Sequence, residues 1–306
     1  MRTVRSEQAA RFCETTEFGG SIMVSDRYRS ISILVRSCND EAFIEKTLRN
    51  ILDQECPLPF EIICCDDGSK DRTPDIIASF PSVKKLPRPE GEYRPGRRLN
   101  YMVTHSSGDL IVFNNADAVP VNRRWLSELV APLLADAADA VYGNQLPRSD
   151  ARYLVRKDNL RAFGDGREAA KWRFFFSLAT SAARRRDLAE HPFDENIRFS
   201  EDVEWAHRRP IRIVYAPEAK VEHSHNYTIA QLKRRFYGEG RADAEIFGDR
   251  PNLPREMISA VLETLRDGRF LLAHPAGLAE LPAAPVRRFI QRFYHWKGVR
   301  DYYVSS

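Results

Sequence analysis

Short, almost wholly apolar segments alternate with amphipathic ones along most of this 306-residue chain. Uninterrupted apolar segments are typical of strands buried on both faces, and the amphipathic stretches between them are typical of helices. The predicted strand regions cover residues 31–36, 60–65, 109–114, 139–143 and 212–225. This alternation predicts an α/β fold in which helices cover a mostly parallel sheet. Ligands of such sheets bind beyond the carboxyl ends of the strands.

The same pattern divides the chain into three parts. Residues 1–30 are polar with little periodicity, which indicates an extension or an irregular cap. Residues 31–225 form the predicted α/β domain, and residues 226–306 indicate helices separated by loops. Within the domain, Thr73 followed by Pro74 predicts a helix that has Thr73 as its N-cap.

Composition and charge exclude several classes of protein. No segment approaches the roughly 18 consecutive apolar residues of a membrane-spanning helix, and the amino-terminal segment lacks the apolar run of a secretory signal. Five cysteines without CxxC spacing are typical of reduced, structural thiols and indicate a cytoplasmic protein. The net charge of +4 lies in residues 226–306 and is too small for a nucleic-acid-binding surface.

Asp66 and Asp67 end the second predicted strand and are followed by Gly68, Ser69 and Asp71. A carboxylate here can accept the imide N–H of a uracil or thymine ring. Gly68 lets the chain turn without a Cβ penalty. A strand-to-helix turn with capping aspartates explains the same residues equally well.

Asn115, Ala116 and Asp117 follow the strand over residues 109–114. An oxygen ligand at a strand's carboxyl end suits Mg²⁺ or Mn²⁺, and such a cation would stabilise negative charge on a departing diphosphate. A plain turn that contains Asn and Asp is the alternative interpretation.

Two further groups lie near the end of the predicted domain. Glu201 and Asp202 open a predicted helix, where a carboxylate can act as a general base. Ordinary negative charge at a helix N-terminus explains them equally well. His223 and His225 close the last strand, where one imidazole could complete a metal site with Asp117, although such histidines are often purely structural.

The order and spacing of these groups resemble the GT-A fold of family 2 glycosyltransferases, over roughly residues 31–240. The resemblance rests on EIICCDDGSKDRT, VFNNADAVP, FSEDVEW and YAPEAKVEHSH, in that order. The segments over residues 143–151, 174–195 and 222–240 are similar to the bacterial rhamnosyltransferase-type subgroup. The resemblance implies an inverting, nucleotide-sugar-dependent glycosyltransferase of polysaccharide assembly, with a C-terminal helical extension.

Individual roles follow from the resemblance. Asp67 matches the family aspartate that holds the nucleotide base, and Asp202 matches the catalytic base, with Glu201 beside it. Asp117 matches the second acid of the D-x-D motif and would bind Mg²⁺ or Mn²⁺ with His223, or with His225 as the alternative. The other donor-binding positions that the resemblance implies are Arg36, Asn39, Glu41, Asp66, Arg98, Asn100, Asn115 and Ala116.

One position departs from the family's pattern. The first acid of D-x-D is Asn115 here, which reduces the negative charge at the site and weakens the predicted metal affinity. The second acid usually makes the direct metal contact in this family, so a divalent cation remains the prediction. Many rhamnosyltransferase-like members lack the first acid too.

The implied partners are a dTDP- or UDP-sugar donor and a glycan or lipid-linked acceptor, with dTDP-L-rhamnose suggested by the subgroup alone. The basic, aromatic-rich segment over residues 287–306 could lie on the cytoplasmic face of the membrane. Its aromatic side chains could equally pack on the core or on a partner subunit. Tyr142, Trp172 and Trp205 could each stack on a sugar ring or belong to the core. The pattern does not reveal the oligomeric state.

Two other functions fit parts of the pattern. A non-catalytic nucleotide-sugar- or glycan-binding protein with the GT-A fold would explain Asn115. It would not explain why four other residues of the family's site are all present, namely Asp67, Asp117, Asp202 and His223. A sugar-1-phosphate nucleotidyltransferase would need a glycine-rich basic loop after the first strand, and residues 35–43 contain no glycine.

Overall fold

A computed structural model describes residues 28–172 and 174–305. The predicted extension over residues 1–30 lies almost entirely outside the described residues, and so does Cys13. The other four cysteines, Cys38, Cys56, Cys64 and Cys65, are free thiols.

Eight strands form one sheet in the order β3-β2-β1-β4-β7-β6-β8-β5. Their bounds are β1 Ile31–Ser37, β2 Phe60–Asp66, β3 Val83–Leu86, β4 Leu110–Asn115, β5 Val119–Pro120, β6 Ala140–Leu146, β7 Thr180–Arg184 and β8 Ile213–Glu222. The helices are α1 Ile44–Leu52, α2 Thr73–Ala78, α3 Pro95–Thr104, α4 Trp125–Leu134, α5 Tyr153–Ala162, α6 Arg185–Glu190, α7 Glu201–His207, α8 Ile229–Phe247, α9 Leu253–Leu272 and α10 Ala283–Ser305. Short 3₁₀ turns cover Ala169–Lys171 and Pro275–Glu280.

The half of the sheet around β1 is parallel. Strand β1 pairs with β2 on one side and β4 on the other, so that Ile31 lies opposite both Phe60 and Leu110. The other half is mixed, because β7 runs antiparallel to both β4 and β6, while β6 and β8 are parallel. The predicted α/β architecture, with a mostly parallel sheet and a helical C-terminal region, is confirmed.

The core lies on both faces of this sheet. Ile33 and Val35 of β1 point into one apolar cluster, and Leu34 points into the other, as strand alternation requires. Trp205 and Tyr142 are buried in the second cluster, where Trp205 donates its indole N–H to the His191 carbonyl at 2.8 Å. These two rings therefore belong to the core, whereas Trp172 is 37% exposed.

The three C-terminal helices pack on one another and on the α/β domain. Glycines let α8 and α10 approach closely, because a Cβ on Gly240 would overlap the His295 carbonyl and one on Gly298 the Tyr237 carbonyl. Helix α8 begins with a capping box between Thr228 and Gln231. Among the described residues, no helix has both the length and the apolar character needed to cross a bilayer.

Candidate active site

A cleft of about 410 Å³ opens beyond the carboxyl ends of β1, β2 and β4. It lies where the parallel half of the sheet predicts a ligand. Its lining residues are Arg36, Ser37, Cys38, Asp40, Asp67, Tyr93, Asn115, Ala116 and Asp117.

Asp67 lies at one end of the cleft, directly after β2. Its carboxylate forms an ion pair with the guanidinium of Arg98, which is buried on α3. Burial raises the pKa of Asp67, and Arg98 opposes the rise. The result is an acid with a fixed orientation at the wall of the cleft, which suits the recognition of a ring N–H.

Asp66 serves the turn and does not line the cleft. Its carboxylate accepts hydrogen bonds from the backbone N–H of Gly68 at 3.0 Å and of Ser69 at 2.8 Å, and from the Ser37 hydroxyl at 3.1 Å. Gly68 has φ +88, a left-handed value that glycine adopts without strain. The capping interpretation therefore describes Asp66, and the ligand interpretation fits Asp67.

Asn39 and Glu41 join the loop after β1 to the loop after β2. The Asn39 side-chain oxygen accepts the Lys70 backbone N–H at 2.8 Å. The Glu41 carboxylate accepts the Arg72 backbone N–H at 3.0 Å. Both residues therefore position the cleft wall. Asn100 also has a positioning contact. Its side-chain amide donates to the Phe193 carbonyl at 2.9 Å, and its side-chain oxygen accepts the Phe193 backbone N–H at 2.9 Å.

The prediction that Thr73 is an N-cap was wrong by one residue. Helix α2 begins at Thr73 itself, after Arg72. The Thr73 hydroxyl instead accepts the backbone N–H of Asp40 at 2.8 Å, another bond between the same two loops. This distant partner is invisible in the local sequence.

Arg36 connects three elements at the centre of the cleft. It lies at the end of β1, and its guanidinium contacts Glu201 of α7 at 3.2 Å and the side-chain oxygen of Asn115 at 3.3 Å. Asn115 and Ala116 both line the cleft. The Ala116 carbonyl accepts the buried Thr47 hydroxyl at 2.7 Å, which fixes the turn that presents Asp117.

Asp117, His223 and His225 form a cluster whose ligand atoms all lie within 4.8 Å of one another. The Nε2 atoms of the two histidines lie 3.4 and 3.5 Å from the Asp117 carboxylate oxygens. On its other side, His223 Nδ1 contacts the Gln145 side-chain oxygen at 2.7 Å, which orients the ring. The turn after β4 and the end of β8 thus bring together all three residues predicted from sequence.

The protonation states in this cluster suit a metal. Burial lowers the pKa of His225 to about 4, with His223 as the next cause, so His225 is neutral at physiological pH. Burial would raise the pKa of Asp117, but His223, His225 and Arg148 outweigh it and hold this pKa well below its ordinary value. One ionised carboxylate and a neutral imidazole are the forms that bind a divalent cation.

Arg148 is a site residue that the sequence analysis missed. Its guanidinium lies 3.3 Å from the Asp117 carboxylate and also donates to the Asp117 carbonyl. It further donates to the Ser224 carbonyl at 2.5 Å and stacks on Phe43, with its central carbon 3.8 Å from the ring centroid. A cation is thus already present beside the single acid of the metal cluster.

Glu201 and Asp202 begin α7, as predicted, after Ser200 in a left-handed conformation with φ +59. Asp202 accepts the backbone N–H of Val203 at 2.9 Å. Burial raises the pKa of Asp202 to about 7, and the neighbouring Glu201 charge adds to the rise. A carboxylate with this pKa can both accept and release a proton near neutral pH.

Asp40 and Tyr93 also line the cleft without having been predicted. Burial raises the pKa of Asp40 to about 6; the Cys38 N–H opposes the rise and the Asp117 charge adds to it. Asp40 adjoins the predicted Asn39 and Glu41, and Tyr93 precedes the predicted Arg98 in the same segment. Their nearness in sequence to predicted site residues is therefore the signal from which Asp40 and Tyr93 could have been predicted.

A family model for "Glycosyl transferase family 2" matches residues 32–193, more than half of the chain. The chain belongs to this family. The match spans the strands and loops that form most of the cleft.

Curated relatives include two named O-antigen chain rhamnosyltransferases. WbaN of Salmonella anatum is 29% identical over 197 residues, which is 60% of this chain and 62% of the relative. RfbN of Salmonella typhimurium is 27% identical over 208 residues, which is 62% of this chain and 66% of the relative. The chain therefore spans slightly less than two thirds of the length of each.

Solved structures show the same fold. The mannosyltransferase PcManGT from Pyrobaculum calidifontis, in complex with GDP-Man and Mn²⁺, superposes with a TM-score of 0.62 at 17% identity, over 94% of this chain and 92% of that one. Glucosyl-3-phosphoglycerate synthase from Mycobacterium tuberculosis, with Mn²⁺, UDP and glucosyl-3-phosphoglycerate, gives 0.53 at 20% identity, over 71% and 80%. These likenesses confirm the expected GT-A fold.

Proposed function

We propose that this protein is an inverting glycosyltransferase that moves a sugar from a nucleoside-diphosphate donor to an acceptor hydroxyl. The observation that carries the proposal is a set of three acids in different states: Asp67 and Asp117 line the cleft, and Asp202 lies next to Glu201, which pairs with the cleft residue Arg36 at 3.2 Å. Asp67 is paired with Arg98, Asp117 is held ionised beside two imidazoles, and Asp202 has a pKa near 7. Different environments for neighbouring carboxylates are typical of divided chemical roles.

The donor would lie along the cleft from Asp67 to Asp117. Asp67 would accept the imide N–H of uracil or thymine, and Tyr93, 46% exposed at the rim, would cover the nucleoside. Arg36 would face the diphosphate at the centre of the cleft. In this proposal Asn39, Glu41, Asp66, Arg98 and Asn100 act on the donor indirectly, by holding these groups in place.

The cluster of Asp117, His223 and His225 offers one carboxylate and two imidazoles for a divalent cation. When bound, Mg²⁺ or Mn²⁺ would neutralise charge on the diphosphate leaving group. Mn²⁺ accompanies the nucleotide in both solved structures described above, which supports the proposed cation.

Asp202 would act as the general base. Its carboxylate takes the proton of the acceptor hydroxyl while the hydroxyl oxygen forms a bond to the anomeric carbon. The bond from that carbon to the diphosphate oxygen breaks on the opposite face, and its electron pair leaves with the nucleoside diphosphate. Configuration therefore inverts in a single displacement. Glu201 would keep the Asp202 pKa high and hold Arg36 in position.

The names of the relatives support an O-antigen polysaccharide as the product and rhamnose as the transferred sugar. The proposed donor is a dTDP- or UDP-sugar, with dTDP-L-rhamnose as the first candidate. The acceptor would be a glycan or a lipid-linked saccharide at the cytoplasmic face of the membrane. Residues 31–225 would bind donor and catalyse transfer, and residues 226–306 would face the acceptor or the membrane.

Release of nucleoside diphosphate from dTDP-L-rhamnose and UDP-sugars, with and without Mn²⁺, tests the proposal. Asp202→Asn should bind dTDP or UDP as the wild type does, measured by thermal shift, and lose at least about 100-fold in turnover. Glu190→Gln, at the end of α6 and exposed, is the matched control and should leave turnover unchanged.

Full turnover of Asp202→Asn would remove Asp202 from the chemistry. Tight nucleotide binding without release from any donor, in any metal, would favour a non-catalytic binding protein, the function that Asn115 by itself suggests.

A further inference from the structure

Helix α9 differs from an ordinary surface helix because it turns its acids inward and leaves large apolar side chains exposed. Its three acids, Glu256, Glu263 and Asp267, face inward with side-chain exposures of 15%, 6% and 0%. Cationic side chains of α5 and α10 pair with the two most buried of these acids, Glu263 and Asp267. Asp267 pairs with Lys157 at 2.5 Å and with Arg288 at 2.6 Å.

The outward face of α9 is apolar. We call this face the apolar stripe, and its members recur at three- and four-residue spacing, which places them on one side of the helix. Their exposures range from 47% for Val261 to 69% for Leu272. The apolar stripe consists of Ile258, Val261, Leu262, Leu265 and Leu272. Leu281 adjoins it, 3.8 Å from the position of a Cβ on Gly268.

Arginines border the apolar stripe. Arg255, Arg266 and Arg269 are exposed, and helical spacing places them along the same side of α9. Arg266 pairs with Glu263 at 2.7 Å. Within the described part of the chain, Arg255 and Arg269 pair with no carboxylate. Since the acids of α9 face inward, the charges that α9 itself presents on this side are cationic.

We propose that the apolar stripe is the surface through which the protein binds an anionic lipid bilayer, an inference that rests on the proposed use of a membrane-bound acceptor. Aliphatic side chains would enter the boundary between headgroups and acyl chains, and the arginines would contact lipid phosphates. This places the contact on α9, whereas the sequence alone suggested residues 287–306.

Charge favours lipid over a second copy of the chain. In a two-fold contact each copy would bring Arg255 and Arg269 and no exposed α9 acid to the interface, so these like charges would gather without acidic partners on α9. Anionic headgroups supply the missing negative charge.

Co-sedimentation of the full chain with vesicles tests the proposal. The wild type should bind vesicles of phosphatidylcholine with phosphatidylglycerol, and bind vesicles of phosphatidylcholine alone far more weakly. Arg255→Gln with Arg269→Gln should weaken binding roughly thirtyfold. Leu262→Gln with Leu265→Gln should weaken it at least about tenfold.

Two controls match these variants. Leu52→Gln changes an exposed leucine on α1, and Lys84→Gln with Lys85→Gln removes two exposed cations on β3; both should bind vesicles as the wild type does. Circular dichroism and nucleoside diphosphate release without lipid should be unchanged in every variant, since none of these residues lines the cleft.

The proposal would be overturned if the wild type did not bind the anionic vesicles. It would also be overturned if the leucine and arginine variants of α9 bound them as tightly as the wild type does. A dimer that Leu262→Gln with Leu265→Gln dissociates would assign the stripe to a second copy. Cross-links from residues 1–27 to α9 in a monomer that ignores vesicles would assign it to the chain's own amino-terminal segment. Vesicle binding without turnover of any donor would reject the proposed function and leave the lipid contact standing.

Discussion

The environment of Asp202 makes the activity dependent on pH. The pKa of this carboxyl is raised to about 7, first by burial and then by Glu201. A base must be ionised, so kcat/KM should rise about tenfold per pH unit below pH 7 and level off above it. The measurement is the pH profile of nucleoside diphosphate release.

Glu201→Gln separates the two causes. Removing the like charge lowers the pKa of Asp202, so the rise in kcat/KM should move to lower pH. The exposed Glu190→Gln should leave the profile in place. An unshifted profile in Glu201→Gln would show that Glu201 does not act on the base.

Arg148 should compete with a metal for Asp117. Its guanidinium lies 3.3 Å from the Asp117 carboxylate and repels a cation placed there. Arg148→Met should therefore raise the affinity for Mn²⁺ about tenfold in the absence of nucleotide, measured by calorimetry. Arg152→Met, exposed at the start of α5, is the control. Weaker Mn²⁺ binding in Arg148→Met would mean that Arg148 mainly orders the Asp117 turn.

At the scale of single elements, two glycines in the C-terminal helices differ in whether their surroundings leave room for a side chain. A Cβ on Gly298 would overlap the Tyr237 carbonyl of α8, whereas one on Gly268 would meet only Leu281 at ordinary contact distance. Gly298→Ala should lower the free energy of unfolding by about 1–3 kcal/mol. Gly268→Ala should raise it by up to about 1 kcal/mol, because alanine favours a helix. Urea unfolding measures both, and equal effects would contradict the close packing of α8 and α10.

For the whole molecule, buried ion pairs join the C-terminal helices to the α/β domain. Asp267 of α9 holds both Lys157 of α5 and Arg288 of α10. Asp267→Ala leaves Lys157 and the buried Arg288 without their shared acid. It should cost about 3 kcal/mol of stability, the lower end of the usual range, because Arg288 still pairs with Asp158 at 2.7 Å.

The same variant should expose α9 and α10 to limited proteolysis before the α/β domain is cut. Lys220→Ala, which removes a surface pair with Glu218, should change stability by less than about 1 kcal/mol. Unfolding of Asp267→Ala in one step, with no early cleavage, would show that the C-terminal helices are not a separately released unit.

Local patterns in the sequence predicted the α/β core and the edge of the sheet at which the cleft lies. Short apolar runs such as 31–36 and 60–65 are typical of buried strands, and parallel strands place their carboxyl ends at one edge. The helix that begins at Glu201 was also predicted from local sequence, because Glu201 and Asp202 are the kind of acidic residues that open a helix. Strand β7 was not predicted, because its short Thr-Ser-Ala-Ala-Arg run lacks a strong apolar signal.

Which polar side chains face the cleft depends on the three-dimensional fold and could not be predicted from local sequence. Asp66 and Asp67 are identical in type and adjacent in sequence, yet one closes a turn and the other lines the cleft. Arg148 and Asp40 belong to the site but were not predicted from the sequence. Burial periodicity is encoded locally, but the use of a polar group depends on partners that lie far away in the chain, such as Ser224 for Arg148 and Thr73 for Asp40.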